Sequence, residues 1–233
     1  TIKIGYIDYT GFIDKKPDGS YSGYGVDYLT QISRSTGWKY EFIYDSWDNQ
    51  LKNLKEGSID FLCHAQITPE RQKNYLFSKN SIGYEHNIVY APLNSNYYYN
   101  DYQMFNGMNI AFLAGSSQND QFLEWSKMHN FFYTSNLYPT EEAAFDALNN
   151  DSVDAVVMGS LSNQKGYKII GKFDYEPFYF MTSKQNKELL IALDNAITNI
   201  KISNPSFEFL LHKKYYNKIA CNCHHYSSFM SII

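Results

Sequence analysis

Two stretches of the chain carry closely related text: Leu54-Lys-Glu-Gly-Ser-Ile-Asp60-Phe-Leu-Cys-His-Ala-Gln66 and Leu148-Asn-Asn-Asp-Ser-Val-Asp154-Ala-Val-Val-Met-Gly-Ser160, the second beginning 94 positions after the first. Each reads as the end of a helix, a tight polar turn, an Asp that opens a buried strand, and polar residues where the strand runs out. A repeat of this length exceeds a solenoid period and implies two similar lobes. In open α/β sheets ligands gather beyond the carboxyl ends of strands, so residues 63–66 and 158–160 are expected to face a shared cleft.

The 233 residues leave room for one large domain or for two lobes of about 100 residues, each able to hold its own core. A net charge of -4 without a basic block excludes a nucleic-acid footprint. No apolar run approaches the roughly 20 residues that span a bilayer. The start at Thr1 fits a trimmed leader and a recombinant start equally well. Three cysteines, Cys63 inside a strand and Cys221 close to Cys223, do not make a disulfide framework. The 22 tyrosines are unusual, and their flat faces and polar tips suit ligand surfaces as well as cores.

Hydrophobic periodicity gives alternating strands and helices. It predicts strands over 3–7, 40–44 and 59–64 and helices over 26–35 and 48–55 in the first half. A strand over 87–93 is expected to cross between lobes. The second half restarts with strands over 109–114, 131–136 and 153–158 and helices over 116–128 and 141–148. A return crossing over 178–182, a long amphipathic helix over 187–203 and a shorter one over 207–215 close the chain. Alternation of this kind implies parallel sheets covered by helices, an α/β class. The lobes are expected to be 1–90 with 183–233, and 91–182.

The chemistry gathers at the strand ends. Of the 20 basic residues only Arg34 and Arg71 are arginine. Arg71 follows Thr68-Pro69-Glu70, where Thr caps a helix and Pro fits its first turn. Its planar fork either grips a carboxylate in the cleft or lies on the helix surface. Gly115-Ser116-Ser117-Gln118 joins a strand to a helix, so free N–H groups and the helix dipole point at the cleft; both serines also suit plain N-caps. Tyr9, Phe12 and Trp47 follow the first two strands as ligand wall or as core. His64, beside Ala65 and Gln66, is cleft lining, core histidine or, least expected, a catalyst. Cys221, Cys223, His224 and His225 crowd soft and imidazole ligands without the spacing of a closed zinc site, and a disordered tail is the expectation. No metal and no cofactor is expected.

At this point a family emerges. Gly23-Tyr-Gly-Val-Asp27-Tyr-Leu, Ser46-Trp47-Asp, Leu54-Lys-Glu-Gly-Ser-Ile-Asp60, Ile67-Thr-Pro-Glu-Arg71, Leu76-Phe-Ser78, Phe105-Asn-Gly, Gly115-Ser-Ser-Gln118 and Asp154-Ala-Val-Val, in that order, resemble the bacterial extracellular solute-binding proteins of family 3. The resemblance implies a two-lobed type II periplasmic-binding fold with two crossing segments as hinge, no catalysis and an extracytoplasmic place beside a membrane. It implies that Arg71 grips a ligand carboxylate, with Ser117 and Gln118 as partners from the second lobe. Tyr9, Phe12 and Trp47 would stack on a ligand side chain, and His64, Ala65, Gln66, Ser116 and Ser160 would line the strand ends.

Two departures stand out. The stretch from Asp60 to Arg71 is one residue shorter than in many transporter-linked members, and Met158-Gly159-Ser160 stands where amino-acid binders carry an acid for the ligand amine. Asp8, Asp14 and Glu176 are the candidate substitutes. The expected ligand is an amino acid or small organic acid, and the departures resemble the sensor modules of membrane signalling proteins. An ABC-transporter receptor for amino acids is the alternative. A cyclohexadienyl-dehydratase-like enzyme is further off, since His64 and Glu85 offer acids only by proximity in sequence.

Overall fold

The apolar runs of the two repeats become strands at the centre of the molecule, covered on both faces. In the computed structural model, which describes residues 1–162 and 164–216, the chain opens with β1 (Ile2–Tyr6) and a small hairpin of β2 (Asp14–Lys15) and β3 (Tyr21–Ser22). There follow α1 (Tyr24–Thr36), β4 (Tyr40–Tyr44), α2 (Trp47–Glu56), β5 (Phe61–Ala65), α3 (Pro69–Asn74) and β6 (Tyr75–Phe77). β7 (Gly83–Pro92) leads into β8 (Met108–Leu113), α4 (Gln118–His129), β9 (Tyr133–Tyr138), α5 (Glu141–Asn149) and β10 (Ala155–Gly159). β11 (Tyr167–Ser183) returns, and α6 (Lys187–Ser203) and α7 (Phe207–Tyr216) complete the described chain.

The strand order is β4-β1-β5-β11-β7-β10-β8-β9, with β6 also beside β11. β1 runs parallel to β4 and β5, and β8 runs parallel to β9 and β10, so the halves share one arrangement. β11 joins them. Its residues 167–178 pair antiparallel with β7, and its residues 179–183 pair with β5 and β6.

The sequence repeat has a shared physical content. After α2 the N–H groups of Gly57 and Ser58 close onto the carbonyls of Leu54 and Asn53; after α5 those of Asp151 and Ser152 close onto Leu148 and Ala147. Both closures need a left-handed residue, met by Gly57 at φ 78° and by Asp151 at φ 57°. The repeated Asp then clasps the neighbouring strand: Lys3 N donates to Asp60 Oδ2 at 2.7 Å, and Asn109 N donates to Asp154 Oδ2 at 2.8 Å. In return the N–H of each Asp donates to the carbonyl of the same neighbour at 2.8 Å.

Successive residues of the central strands feed opposite layers, as expected of strands buried on both faces. Val156 and Met158 of β10 join a core with Leu148 and Phe145 of α5, whereas Ala155 and Val157 join Phe112 of β8 and Phe122 and Trp125 of α4. In the first half Phe61 and Cys63 pack toward Leu29 and Ile32 of α1 and Leu193 and Ile197 of α6, while Leu62 packs with Leu54 of α2.

Most predicted elements lie where periodicity put them, within a few residues. The crossings differ. β7 starts at Gly83, four residues before the predicted strand, and β11 runs for 17 residues where only 178–182 was expected. Polar Lys168, Lys172, Asp174 and Glu176 break the apolar signal of β11, and register shifts near Ile169 and Phe173 break its alternation. Cys221, Cys223, His224 and His225 lie outside the described residues.

Candidate functional site

The carboxyl ends of β1 and β5, the turn before α3, β7 and the β8–α4 loop converge on one cavity. Ile7, Tyr9, Trp47, His64, Gln66, Arg71, Glu85, Leu113, Ser116, Ser117, Gln118 and Met158 line it, around a free volume of about 40 Å³. That is space for a few water molecules. The lobes therefore stand close together.

Arg71 is placed by local sequence. Thr68 caps α3, its Oγ1 accepting from the Arg71 N–H at 3.2 Å, and Pro69 occupies the first turn without losing a bond. The side chain passes into the cleft, where the residue is 9% exposed. One terminal nitrogen donates to the Gln66 carbonyl at 3.0 Å and the other to the Gly115 carbonyl of the opposite lobe at 3.1 Å. The guanidinium also lies over the Trp47 ring at 5.1 Å. No carboxylate stands within ion-pair distance of it among the described residues. Burial brings its pKa down to about 10, against a smaller opposing effect of Tyr75. A guanidinium held this way is short of one anion.

The opposite wall offers an anion-friendly surface. Ser117 occupies the position before α4, but no side chain caps that helix. The Ser117 hydroxyl instead makes a short hydrogen bond to Gln66 Oε1, across the cleft. Ser116 Oγ is buried with no hydrogen-bond partner among the described residues. Among the described residues no side chain caps the first turn of α4 or pairs with the Ser116 hydroxyl. Side-chain amides tie this wall to the hinge: Gln121 Nε2 donates to Gln66 Oε1 at 3.4 Å, Asn87 Nδ2 to Gln121 Oε1 at 2.8 Å, and Gln118 Nε2 to Asn87 Oδ1 at 3.2 Å.

The acid in the cleft is Glu85, on the crossing strand β7 and 3% exposed. Tyr9 Oη donates to its Oε2 at 2.9 Å, and Gln66 Nε2 approaches Oε1 at 3.5 Å. His64 Nε2 lies 2.9 Å from Oε1 but without the geometry of a hydrogen bond, and it has no hydrogen-bond partner among the described residues. Glu85 also accounts for Gly159. A Cβ there would come 2.0 Å from Glu85 Oε2 and 1.9 Å from Tyr9 Oη, so the hinge acid and Tyr9 fill the space beside the strand end of the second lobe.

Of the residues singled out in the sequence, Tyr9, Trp47, His64, Gln66, Arg71, Ser116, Ser117 and Gln118 line this one cavity. Phe12, Ala65 and Ser160 do not. Phe12 is 3% exposed in an aromatic cluster with Tyr24 and Phe178, Ala65 is buried at the end of β5, and Ser160 Oγ accepts from the His86 N–H at 3.1 Å. Asp8, Asp14 and Glu176 do not line it either. Cys63 is buried, and burial pushes its thiol up to about 12, so it is an unreactive core residue.

A family model, "Bacterial extracellular solute-binding proteins, family 3", matches residues 2–217. The chain belongs to that family. Solved structures agree on the fold. An arginine 3rd transport system periplasmic binding protein from Legionella pneumophila superposes with a TM-score of 0.80 at 20% identity, covering 92% of this chain and 99% of that one. A P235GK mutant of ArgBP from T. maritima gives 0.76 at 20% identity, covering 92% and 94%. An ancestral amino-acid-binding protein described as a precursor of cyclohexadienyl dehydratase gives 0.76 at 21%, covering 92% and 94%. No curated protein sequence matches the chain. This family 3 protein therefore has the two-lobed type II periplasmic-binding fold, with β7 and β11 as its shared strands. Among the described residues no helix is long and apolar enough to cross a membrane.

Proposed function

We propose that this protein is an extracytoplasmic solute-binding module that closes on a small carboxylated ligand, an amino acid or a close relative. The observation that carries this reading is Arg71, a buried guanidinium between the lobes that has carbonyl partners but no anion among the described residues. A carboxylate entering the cleft would meet the Arg71 fork from one lobe and the Ser116 hydroxyl and uncapped α4 N-terminus from the other. Glu85 is the acceptor for an ammonium group, in place of the absent acid at 158–160. In this reading the lobes are 1–90 with 183–233, and 91–182, and occupancy becomes a change of shape that a membrane partner reads.

The partner divides two versions of this function. The absence of an acid at Met158-Gly159-Ser160 supports a sensor module of a membrane signalling protein. Similarity to solved structures, among them the substrate binding protein of an amino acid ABC transporter, supports a transport receptor. A membrane helix followed by a signalling domain in the full gene product is the outcome that fits the first, and a lipoprotein cysteine upstream the outcome that fits the second.

A thermal-shift screen against amino acids and small organic acids tests the binding itself. A ligand at 100 times its dissociation constant raises stability by about 2.7 kcal/mol. Arg71→Ala, checked for folding by circular dichroism, is expected to abolish the shift, since removing one side of a buried charged contact costs on the order of 2–5 kcal/mol. Undiminished affinity in that variant would remove the carboxylate assignment.

A further inference from the structure

At this cleft Trp47 and the rings around His64 already carry side chains of the protein itself. Trp47 carries the Arg71 guanidinium at 5.1 Å. The His64 ring sits in a cage of three rings, stacked on Tyr9 at 4.8 Å and tilted against Phe12 at 4.9 Å and Phe178 at 5.0 Å. Its Nε2 faces Glu85 at 2.9 Å. Aromatic faces beside a carboxylate are what recognises an ammonium or guanidinium group. Here that place is filled from within, and the caging rings have little free surface: Tyr9 is 5% exposed, Phe12 3% and Phe178 0%.

Resting on the amino-acid reading above, we infer that His64 is an internal stand-in for a ligand's cationic side chain and limits the protein to α-amino acids with small, uncharged side chains. The cavity supports the same limit. With Arg71 at one end and Glu85 at the other, the carboxylate and ammonium of an amino acid use most of its roughly 40 Å³ of free space. Ile7, Leu113 and Met158 close the remaining wall with apolar groups. The adjoining hollow lined by Tyr9, Phe12, Trp47 and His64 adds only about 20 Å³, too little for a long chain ending in a guanidinium. His64 thus acts as a specificity residue by occupying a subsite, in contrast to Arg71, which binds.

Titration calorimetry on the dialysed protein reads this directly, with glycine, alanine and serine set against lysine and arginine. The parent is expected to bind at least one of the small amino acids at least tenfold more tightly than either cation. His64→Ala is expected to gain at least tenfold for lysine or arginine, through the emptied cage of Tyr9, Phe12 and Phe178. His64→Phe, which keeps the ring volume, is expected to gain nothing. A parent that binds arginine as tightly as alanine overturns the inference while leaving the amino-acid reading intact. So does a folded His64→Ala that gains nothing for cations. No heat with any amino acid removes the amino-acid reading and the inference together. If His64→Ala does not fold, the selectivity of the parent decides alone.

Discussion

Glu141 stands in the first turn of α5 with one carboxylate oxygen held by short hydrogen bonds from Ser162 and Gln164 and the other buried with no partner among the described residues. Burial pushes its carboxyl up from 4.5 to about 7, against the pull of those two donors, and Asp8 and Asp14 from the first lobe add to the rise. Between those values the folded chain holds a proton that the unfolded chain has lost. Stability therefore falls as pH rises from about 5 to about 7, by on the order of 3 kcal/mol for this group. Glu141→Gln is expected to flatten that fall. Melting temperatures of parent and variant, compared at intervals from pH 5 to pH 8, check it; equal slopes would mean that Glu141 ionises normally. Comparing the two proteins matters because burial lowers the pKa of His86 and His212, which acts in the opposite sense. At this scale the sequence made Arg71, Gln66 and the serines legible, because their positions follow from strand ends and caps. Glu85 is legible in the sequence only as an acid close to His64, with no local pattern that turns it toward the cleft. Its neighbours Tyr84 and His86 are polar or half-exposed, and only the long-range pairing of β7 turns its side chain inward toward Tyr9 and His64.

Among the elements, the loop between β8 and α4 carries the closure. Gly115 has φ 73°, and its carbonyl takes both the Arg71 guanidinium and the Trp47 indole N–H at 3.0 Å. A Cβ at this position would lie 2.0 Å from Asp48 Oδ1, on the facing lobe. Two separate costs follow from Gly115→Ala. The positive φ is strained in open and closed forms alike, which lowers the melting temperature by the equivalent of about 1 kcal/mol. The clash with Asp48 exists only when the lobes meet, so ligand affinity falls several-fold as well. Adding Asp48→Ala is expected to restore affinity and leave the melting temperature low; calorimetry and melts on the parent and the two variants separate the two effects. Helices such as α6 were legible from their apolar faces alone. β11 was not, because its long pairing is with β7, which no local pattern announces.

At the scale of the molecule, the two lobes repeat one unit, helix end, left-handed turn and Asp clasp, but meet asymmetrically. The first supplies Arg71, Trp47 and His64, the second an uncapped helix and a glycine strand end, and the shared strand β7 supplies the acid. The repeat made the duplication readable; what the lobes do to each other depends on contacts between residues far apart in the chain. One of those contacts has an optical consequence. Of the three tryptophans, Trp38 stacks on Phe61 in the first lobe and Trp125 packs among Phe105, Phe131 and Phe173 in the second. Trp47 alone donates across the gap, to Gly115. Opening would return its indole to water, so its emission should move to longer wavelength in the ligand-free protein and back on binding, and Trp47→Phe should silence the change. The chain carries its own fluorophore at the seam, and closure can be timed without attaching a dye.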